Sequence, residues 1–317
     1  MSTKNWALSM RKTFNRNLLE IAKRNERIFL VVSDIGYGEI EPFAHTFPDR
    51  FFNVGVAEQN MTGIACGLAL EGNIAITYSI ANFPTLRCLE QIRNDVCYHN
   101  ANVKIVIIGG GVAYGALGIS HHSTEDLAIM RALPNMVVLS PCDCIEAKEA
   151  TLAMIEHQGP VYYRCGYKGE PDIHSGPINF EIGRAIQICD GNDGTIIFTG
   201  TIGYNVLLAR EILSQKGIKC RLISMHTIKP IDTEIILLCA RETGAIITVE
   251  EHNLSGGLGG AISEVLADNC LSQVKFKRIA FPDIYVSEVG SQEWLREKYG
   301  MSPSGIAKTI EETIRGN

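Results

Sequence analysis

The sequence has no long uninterrupted hydrophobic run. The longest apolar stretch, residues 103–119, contains five glycines and a lysine, which favours a buried strand leading into a loop over a membrane span. The N-terminal residues, MSTKNWALSMRKTFNRNLLE, place polar and basic side chains within an amphipathic pattern and lack the apolar core of a signal peptide. We therefore predict a cytoplasmic protein without a membrane segment.

Several motifs of common enzyme classes are also missing. The glycine-rich segments GGGVAYG and GGLGGA do not have the spacing of the dinucleotide-binding G-x-G-x-x-G motif, and no P-loop occurs. Neither the nucleophile elbow G-x-S-x-G nor the zinc-protease motif H-E-x-x-H is present. The sequence thus gives no support to dehydrogenase, P-loop nucleotidase, serine hydrolase or zinc protease chemistry of these types.

Neither sign of charge is in large excess. With 29 Lys and Arg against 35 Asp and Glu, the formal net charge is −6, and 46% of the residues are hydrophobic. This is the composition of an ordinary globular protein, and it provides no basic surface that would favour nucleic acid. We predict a protein that acts on small molecules and does not bind nucleic acid.

The ten cysteines are scattered, and many fall in apolar patterns where a reduced thiol serves as a small core residue. Cys142 and Cys144 form a single C-x-C pair without a second cysteine or histidine pair at zinc-finger spacing. We predict no disulfides and no metal bound by this chain.

Short β-branched runs alternate with longer amphipathic segments in the first half of the chain. Parallel strands are predicted over 28–34, 73–80, 103–110, 136–141 and 160–165. Helices are predicted over 7–25, 57–71, 85–98, 123–132 and 143–157, the last two with caps at Ser123 and Asp143. This alternation predicts one doubly wound α/β domain over residues 1–166.

A second, smaller α/β domain is predicted over residues 181–317. Residues 167–180 are rich in glycine, proline and acidic side chains, which is typical of a linker. The strand–helix alternation then resumes with the apolar runs TIIFTG, CRLISMH, AIITVEE and VKFKRIAF.

The segment DRFFNVGVAEQNMTGIACGLALEG (49–72) closely resembles the glutamate motif of the pyrimidine-binding domain of the transketolase family. Further matching segments follow in the family's order, namely QIRNDV (91–96), GALGISHHSTEDLAIMRALPNMVVLSPCDCIEA (115–147) and VEEHNLSGGLGGAISEVLA (249–267). The resemblance covers nearly the whole chain. It implies a parallel-sheet thiamine-pyrimidine-binding domain followed by a transketolase C-terminal-type domain, as in the C-terminal half of a transketolase or the small subunit of a split one.

The family's diphosphate and metal motif, Gly-Asp-Gly followed later by Asn, does not occur in this sequence. The segment DGNDG (190–194) has the same letters in another order and predicts a turn. The resemblance therefore implies that a partner, the N-terminal-type transketolase subunit, binds Mg²⁺ and the diphosphate of the cofactor. An α2β2 complex with self-association of this chain is expected.

The resemblance assigns Glu58 the central catalytic role. The family's glutamate hydrogen-bonds N1′ of the aminopyrimidine of thiamine diphosphate and so activates the cofactor, and an apolar cleft would favour a proton shared with the ring. From the residue pattern alone, Glu58 could also be a first-turn glutamate that favours the helix dipole. Phe83 matches the aromatic that packs on the pyrimidine, and Ile80 stands where many relatives have another phenylalanine.

Four further residues are expected to position substrate. His121 matches the histidine near the reacting carbon, where an imidazole donates hydrogen bonds or moves a proton, and His122 is expected to be accessory or solvent-facing. Arg164 matches the arginine that clamps a sugar phosphate or carboxylate. Arg11 aligns weakly with another phosphate-binding arginine or is a solvated residue of the N-terminal helix, and Arg87 either reaches a substrate phosphate or solvates a helix face.

Some residues depart from a standard sugar-phosphate transketolase. Leu117 replaces an aspartate that reads the hydroxyl next to the ketose carbonyl, and Gly109 stands where a phosphate-binding histidine often lies. Since leucine cannot accept a hydroxyl hydrogen bond, a deoxy or differently configured substrate stays open. Tyr78 and Arg87 more closely resemble the equivalents in deoxyxylulose-phosphate synthases.

The predicted function is transfer of a two-carbon ketol unit from a ketose or ketose phosphate to an aldehyde, by a split transketolase whose small subunit is this chain. Two thiamine-dependent alternatives are a deoxyxylulose-phosphate-synthase-like activity and the β subunit of a 2-oxoacid dehydrogenase. An alternative of another class is a non-catalytic binding or regulatory subunit. Glu250 and His252 are expected at an interface or in the core rather than in bond-making.

Overall fold

The computed structural model describes residues 9–316. Its strands are β1 (Ile28–Val32), β2 (Phe51–Asn53), β3 (Ile74–Ile80), β4 (Val103–Ile108), β5 (Val137–Leu139), β6 (Val161–Cys165), β7 (Ile186–Cys189), β8 (Gly194–Thr199), β9 (Cys220–Ser224), β10 (Thr227–Lys229), β11 (Ala245–Asn253) and β12 (Lys275–Phe281).

The α-helices are α1 (Met10–Ala22), α2 (Glu41–Thr46), α3 (Glu58–Leu70), α4 (Phe83–Leu86), α5 (Leu89–Gln91), α6 (Asp126–Ala132), α7 (Cys144–Glu156), α8 (Gly203–Gln215), α9 (Thr233–Thr243), α10 (Leu258–Asp268), α11 (Gln292–Lys298) and α12 (Pro303–Arg315). A π-helix (Ile92–Cys97) continues α5, and short 3-10 turns cover Gly115–Leu117 and Ile119–His121. Across residues 9–316, no helix is long and apolar enough to cross a membrane.

The first sheet has the strand order β10-β5-β6-β4-β3-β1-β2. Its strands are parallel except β10, which pairs antiparallel with β5. The five strands predicted for this half are all present, whereas the short edge strands β2 and β10 were not predicted. β10 comes from the second half of the chain, so the two halves share a sheet edge.

Apolar layers cover both faces of this sheet. One face packs against α3 and the π-helix through residues such as Met61 and Ile92, and the other packs against α1 and α7 through residues such as Phe14 and Met154. Every residue of β4 and β6 is buried, as expected for central strands covered on both sides. This arrangement places the carboxyl ends of the parallel strands at one open edge.

The second sheet has the order β12-β11-β8-β9-β7, with β7 antiparallel at its edge. Helices α8 and α12 pack on one face, and α9 and α10 join the apolar layer that continues from the first sheet. Both sheets are therefore mainly parallel and flanked by helices, and the predicted α/β fold class is confirmed.

Of the two predicted helix caps, one is confirmed and one is wrong. Asp143 caps α7 by accepting from the backbone N–H of Glu146 at 2.8 Å. Ser123 does not cap α6, which begins at Asp126. Ser123 instead pairs with Gly111 in an isolated antiparallel bridge, and this pairing holds its backbone away from the helix.

Candidate active site

The candidate catalytic side chains lie at the carboxyl edge of the first sheet. Phe83 follows β3, and the loop after β4 carries Tyr114 and the turn that ends at His121. Glu58 begins α3, directly after the loop that follows β2. Ligand sites of doubly wound sheets lie outside the carboxyl ends of the strands. The topology thus brings together residues that are far apart in sequence.

The Glu58 carboxylate is buried but only partly hydrogen-bonded. Its side chain is 1% exposed, and Oε2 accepts from Nη1 of Arg87 at 2.6 Å. Oε1 is also buried and has no hydrogen-bond partner within residues 9–316. An unpaired buried carboxylate oxygen is costly, so this atom is a ready acceptor for a ligand N–H.

Arg87 makes contacts that the sequence did not predict. Its guanidinium forms an ion pair with Glu58, and its Cζ lies 5.2 Å from the centroid of the Phe83 ring. About half of the side chain, 49%, remains exposed, so the pair lies at the boundary between the core and solvent. Arg87 therefore holds one oxygen of the Glu58 carboxylate, and its predicted contact with a substrate phosphate stays a prediction.

Phe83 and His121 are in direct contact. Their ring centroids are 5.2 Å apart at an interplanar angle of 70°, an edge-to-face arrangement. The turn that carries His121 is held by Asn82, whose Nδ2 donates to the Ser120 carbonyl at 3.1 Å, and Nδ1 of His121 lies 3.0 Å from Oγ of Ser120. The catalytic row, as we call Glu58, Arg87, Phe83 and His121, is consequently continuous.

A cavity with a volume of about 270 Å³ opens beside the catalytic row. We call it the aromatic pocket, because Tyr78, Tyr114 and Tyr167 line it. Ile80 and Arg11 also line this cavity. The structure thus places these two predicted residues in the aromatic pocket and the other candidates, apart from Arg164, in the catalytic row.

Tyr114 and Tyr167 were missed by the sequence reasoning. Tyr114 lies in the glycine-rich segment GGGVAYG, and such a loop allows a bulky ring to approach the backbone, so its sequence offered a signal. Tyr167 lies in an irregular segment that offered none. Leu117 lies in the neighbouring turn and is 55% exposed. It presents an alkyl side chain near His121 instead of an acceptor.

Arg164 has an environment that differs from the phosphate clamp expected of it. The side chain is 5% exposed, and its Nε and Nη2 donate to Asp126 at 2.8 and 3.2 Å. Nη2 also donates to the carbonyls of Ser123 and Glu251. Because Glu251 belongs to β11 of the second sheet, the guanidinium joins the two sheets through Nε and Nη2.

His122 is buried, so the solvent-facing alternative is wrong and only the accessory role stays a prediction. It is 1% exposed, and its two ring nitrogens have no hydrogen-bond partner in the described part of the chain. Burial lowers the pKa of His122, although the charge of Glu251 opposes this shift. His122 is therefore neutral at physiological pH.

Glu250 and His252 are core residues. Glu250 accepts from the backbone N–H groups of Leu258 and Gly259 at 2.7 and 2.8 Å and so satisfies the first turn of α10. His252 is 0% exposed and bonds to the carbonyl of Asn253. The glycine-rich segment around Leu258 and Gly259 therefore forms a tight start to helix α10.

The C-x-C pair contributes to a buried polar cluster at the N-terminus of α7. Potential ligand atoms of Cys142, Asp143 and His174 lie within 4.8 Å of one another. Asp143 is already occupied, because it accepts from three backbone N–H groups, and Nε2 of His174 lies 2.8 Å from Oε1 of Glu146. The cluster fastens residues 173–174 to α7.

Comparisons with known proteins place these features in a family. Residues 7–166 match the family model of the transketolase pyrimidine-binding domain, and residues 183–306 match that of the transketolase C-terminal domain. The chain is 39% identical to one subunit of the apulose-4-phosphate transketolase of Phocaeicola vulgatus, covering 97% of this chain and 98% of that protein.

The chain is also 36% identical to the 6-deoxy-6-sulfo-D-fructose transketolase subunit of a Clostridium species, over 96% of this chain and 94% of that one. Among solved structures, a split-gene transketolase described as an inactive β4 tetramer superposes with a TM-score of 0.88 at 35% identity. That match covers 98% of this chain and 99% of the other.

Proposed function

The chain belongs to the transketolase family, and we propose that it is the C-terminal-type subunit of a split transketolase that activates thiamine diphosphate through Glu58. The reaction is transfer of a two-carbon ketol unit from a ketose to an aldehyde. The division proposed for the chain is a pyrimidine-binding domain over 1–166, a linker over 167–180 and a C-terminal domain over 181–317.

The observation that carries the proposal is the half-paired carboxylate of Glu58. Its free Oε1 is buried and suits the protonated N1′ of an aminopyrimidine, a group that donates a single N–H. Arg87 supports this role because it holds Oε2 and thereby fixes the direction of the other oxygen. Phe83 offers its ring as a packing surface beside the same carboxylate.

Thiamine diphosphate, when bound, supplies the carbon nucleophile that cleaves and forms the ketose C–C bond. Glu58 would hold a proton between its carboxylate and the pyrimidine, in a site where water is excluded by burial. His121 would donate a hydrogen bond to, or move a proton at, an oxygen of the substrate. The contact between Phe83 and His121 would place the ring that packs on the cofactor next to the histidine proposed to face the substrate.

We further propose that a partner subunit supplies the site for Mg²⁺ and the diphosphate, since this sequence lacks the Gly-Asp-Gly motif. An α2β2 complex in the cytoplasm is the proposed assembly. The structural relative described as a β4 tetramer supports self-association of this type of chain.

The test is ketol transfer with thiamine diphosphate, Mg²⁺ and a glycolaldehyde-yielding ketose, with and without phosphate, measured for the chain alone, the partner alone and the pair. The proposal expects turnover by the pair only. Turnover by the partner alone would remove the catalytic role of this chain and support a regulatory subunit.

A second candidate function is a deoxyxylulose-phosphate-synthase-like reaction with pyruvate as donor. The exposed alkyl side chain of Leu117 favours it, because a methyl ketone has no hydroxyl that requires an acceptor there. Decarboxylation of pyruvate by the pair, without cleavage of any ketose, would select this function over the first.

A further inference from the structure

Tyr114 occupies the space that a side chain at position 109 would need. Gly109 has φ +82°, and a Cβ built there would lie 2.2 Å from Cε2 of Tyr114. Such a contact is impossible without a large shift, because the obstacle is the buried aromatic ring itself. The glycine and the tyrosine are thus structurally coupled, and a side chain at position 109 cannot reach the substrate while Tyr114 keeps its place.

The ring of Tyr114 forms a wall between the catalytic row and the aromatic pocket. Its centroid lies 4.2 Å from that of Tyr167 and 6.0 Å from that of His121. Both tyrosines line the aromatic pocket, and Tyr114 is 9% exposed. Tyr114 therefore borders both His121 and the aromatic pocket.

One cation and one anion face the aromatic pocket. Arg11 is the single basic side chain among its lining residues within 9–316. Its Nε donates to the Tyr78 hydroxyl at 3.1 Å, and Nη2 donates to the carbonyls of Gly36 and Tyr37. These bonds leave the Nη1 group as its remaining donor.

Asp34 is the matching anion. Its Oδ1 accepts from the Tyr37 hydroxyl at 2.6 Å and from Nδ2 of Asn53 at 3.0 Å. Hydrogen bonds from Tyr37 and Asn53 lower the pKa of Asp34, so the carboxylate is ionised at neutral pH. Asp34 and Arg11 both line the pocket, so a bound group meets a carboxylate as well as a guanidinium rather than a purely basic site.

We propose that the aromatic pocket binds the uncharged, hydroxylated end of the ketose and that Tyr114 is a specificity-determining residue. This inference rests on the proposed function and narrows its substrate class. The tyrosine rings would pack against the C–H face of the sugar chain, Asp34 would accept from a hydroxyl through Oδ2, and Arg11 would donate from Nη1. The carboxylate also acts against a phosphorylated end by repulsion.

The test compares D-xylulose with D-xylulose 5-phosphate as donors for the reconstituted pair. The proposal expects the kcat/KM of xylulose to equal or exceed that of its phosphate. Tyr114→Ala and Asp34→Asn should each lower kcat/KM for xylulose by about tenfold and lower it less for the phosphate, as loss of ring contact or of a charge-assisted hydrogen bond predicts. Tyr98→Ala, which removes an 80% exposed ring outside the pocket, is the matched control.

A second readout does not depend on turnover. Ring resonances of labelled tyrosines in the full chain are followed as xylulose or inorganic phosphate is added, with Tyr114→Phe for assignment. If the ring resonances of Tyr114 and Tyr167 shift when xylulose is added but not when phosphate is added, the inference is supported. This holds even if the pair cleaves no ketose, in which case only the proposed function fails. The inference would be overturned if kcat/KM for xylulose 5-phosphate were about a hundredfold higher than for xylulose and Asp34→Asn lowered kcat/KM equally for both donors.

Discussion

Nη1 of Arg87 lies 2.6 Å from Oε2 of Glu58, while Oε1 of the same carboxylate has no partner among the described residues. The two oxygens of Glu58 thus differ: Oε2 is held by Arg87, and the buried Oε1 is left without a partner within the described residues. The unpaired Oε1 leaves a buried acceptor atom that a cofactor N–H could satisfy.

Replacing Arg87 should therefore impair catalysis by mispositioning Glu58. We expect Arg87→Leu to lower kcat by about tenfold to a hundredfold, because the buried carboxylate loses the cation that holds its Oε2. Arg87→Lys should restore part of the rate. Steady-state kinetics measure the effect, and a Leu variant with an unchanged kcat would show that the ion pair has no catalytic role.

Gly109→Ala should disturb Tyr114. The added methyl group meets the tyrosine ring, and φ +82° is strained for any residue except glycine, so we expect a loss of about 2–4 kcal/mol of unfolding free energy. Gly109→Ala combined with Tyr114→Ala should lose less than the sum of the single variants, because the clash is gone and the backbone strain remains. Urea unfolding of the single and double variants gives the coupling energy between positions 109 and 114. Strictly additive losses of unfolding free energy would contradict the contact between these two residues.

Breaking the buried pair between Arg164 and Asp126 should affect stability rather than substrate affinity. Arg164→Met leaves a carboxylate that is 2% exposed without its cation, which typically costs about 3–5 kcal/mol. Thermal or urea unfolding would show this loss, and any variant protein that stays folded should keep its KM for the ketose. A large increase in KM at unchanged stability would instead restore the phosphate-clamp role.

Lys104 should make stability depend on pH above neutrality. It is 0% exposed, its Nζ donates to the carbonyls of His157 and Gly159 at 2.7 Å each, and burial lowers its pKa to about 7. Between that pKa and the ordinary value of 10.5, the unfolded chain binds the extra proton, so stability rises with pH across this window.

The control for this prediction is Lys104→Met, whose side chain does not titrate, so the free energies of unfolding of the two proteins are compared. Urea unfolding at about pH 7, 8 and 9 should show the wild-type chain gaining on the variant by about 1.4 kcal/mol per pH unit at most. Parallel stability curves for the two proteins would mean that Lys104 stays charged in the folded state.

The sequence predicted the main strands and helices because their apolar patterns are long enough to be recognised. β10 has three residues, and its pairing with β5 depends on how the two halves pack, which no local pattern encodes. Glu58 and Phe83 were identified as candidate site residues by motif, and their roles stay predictions. The partners of Arg87 and Arg164 were not predicted, because an arginine reaches across several ångströms and its acceptor is chosen by tertiary structure.

The most direct test of the central claim uses Glu58→Gln, which is nearly isosteric and keeps one acceptor oxygen but cannot share a proton with the pyrimidine. The wild-type and variant chains are each reconstituted with the partner subunit, thiamine diphosphate and Mg²⁺, and complex formation is verified before ketol transfer is measured. The account predicts a well-formed variant complex whose kcat is lower by about a hundredfold or more. A variant complex with the kcat of the wild type would contradict it.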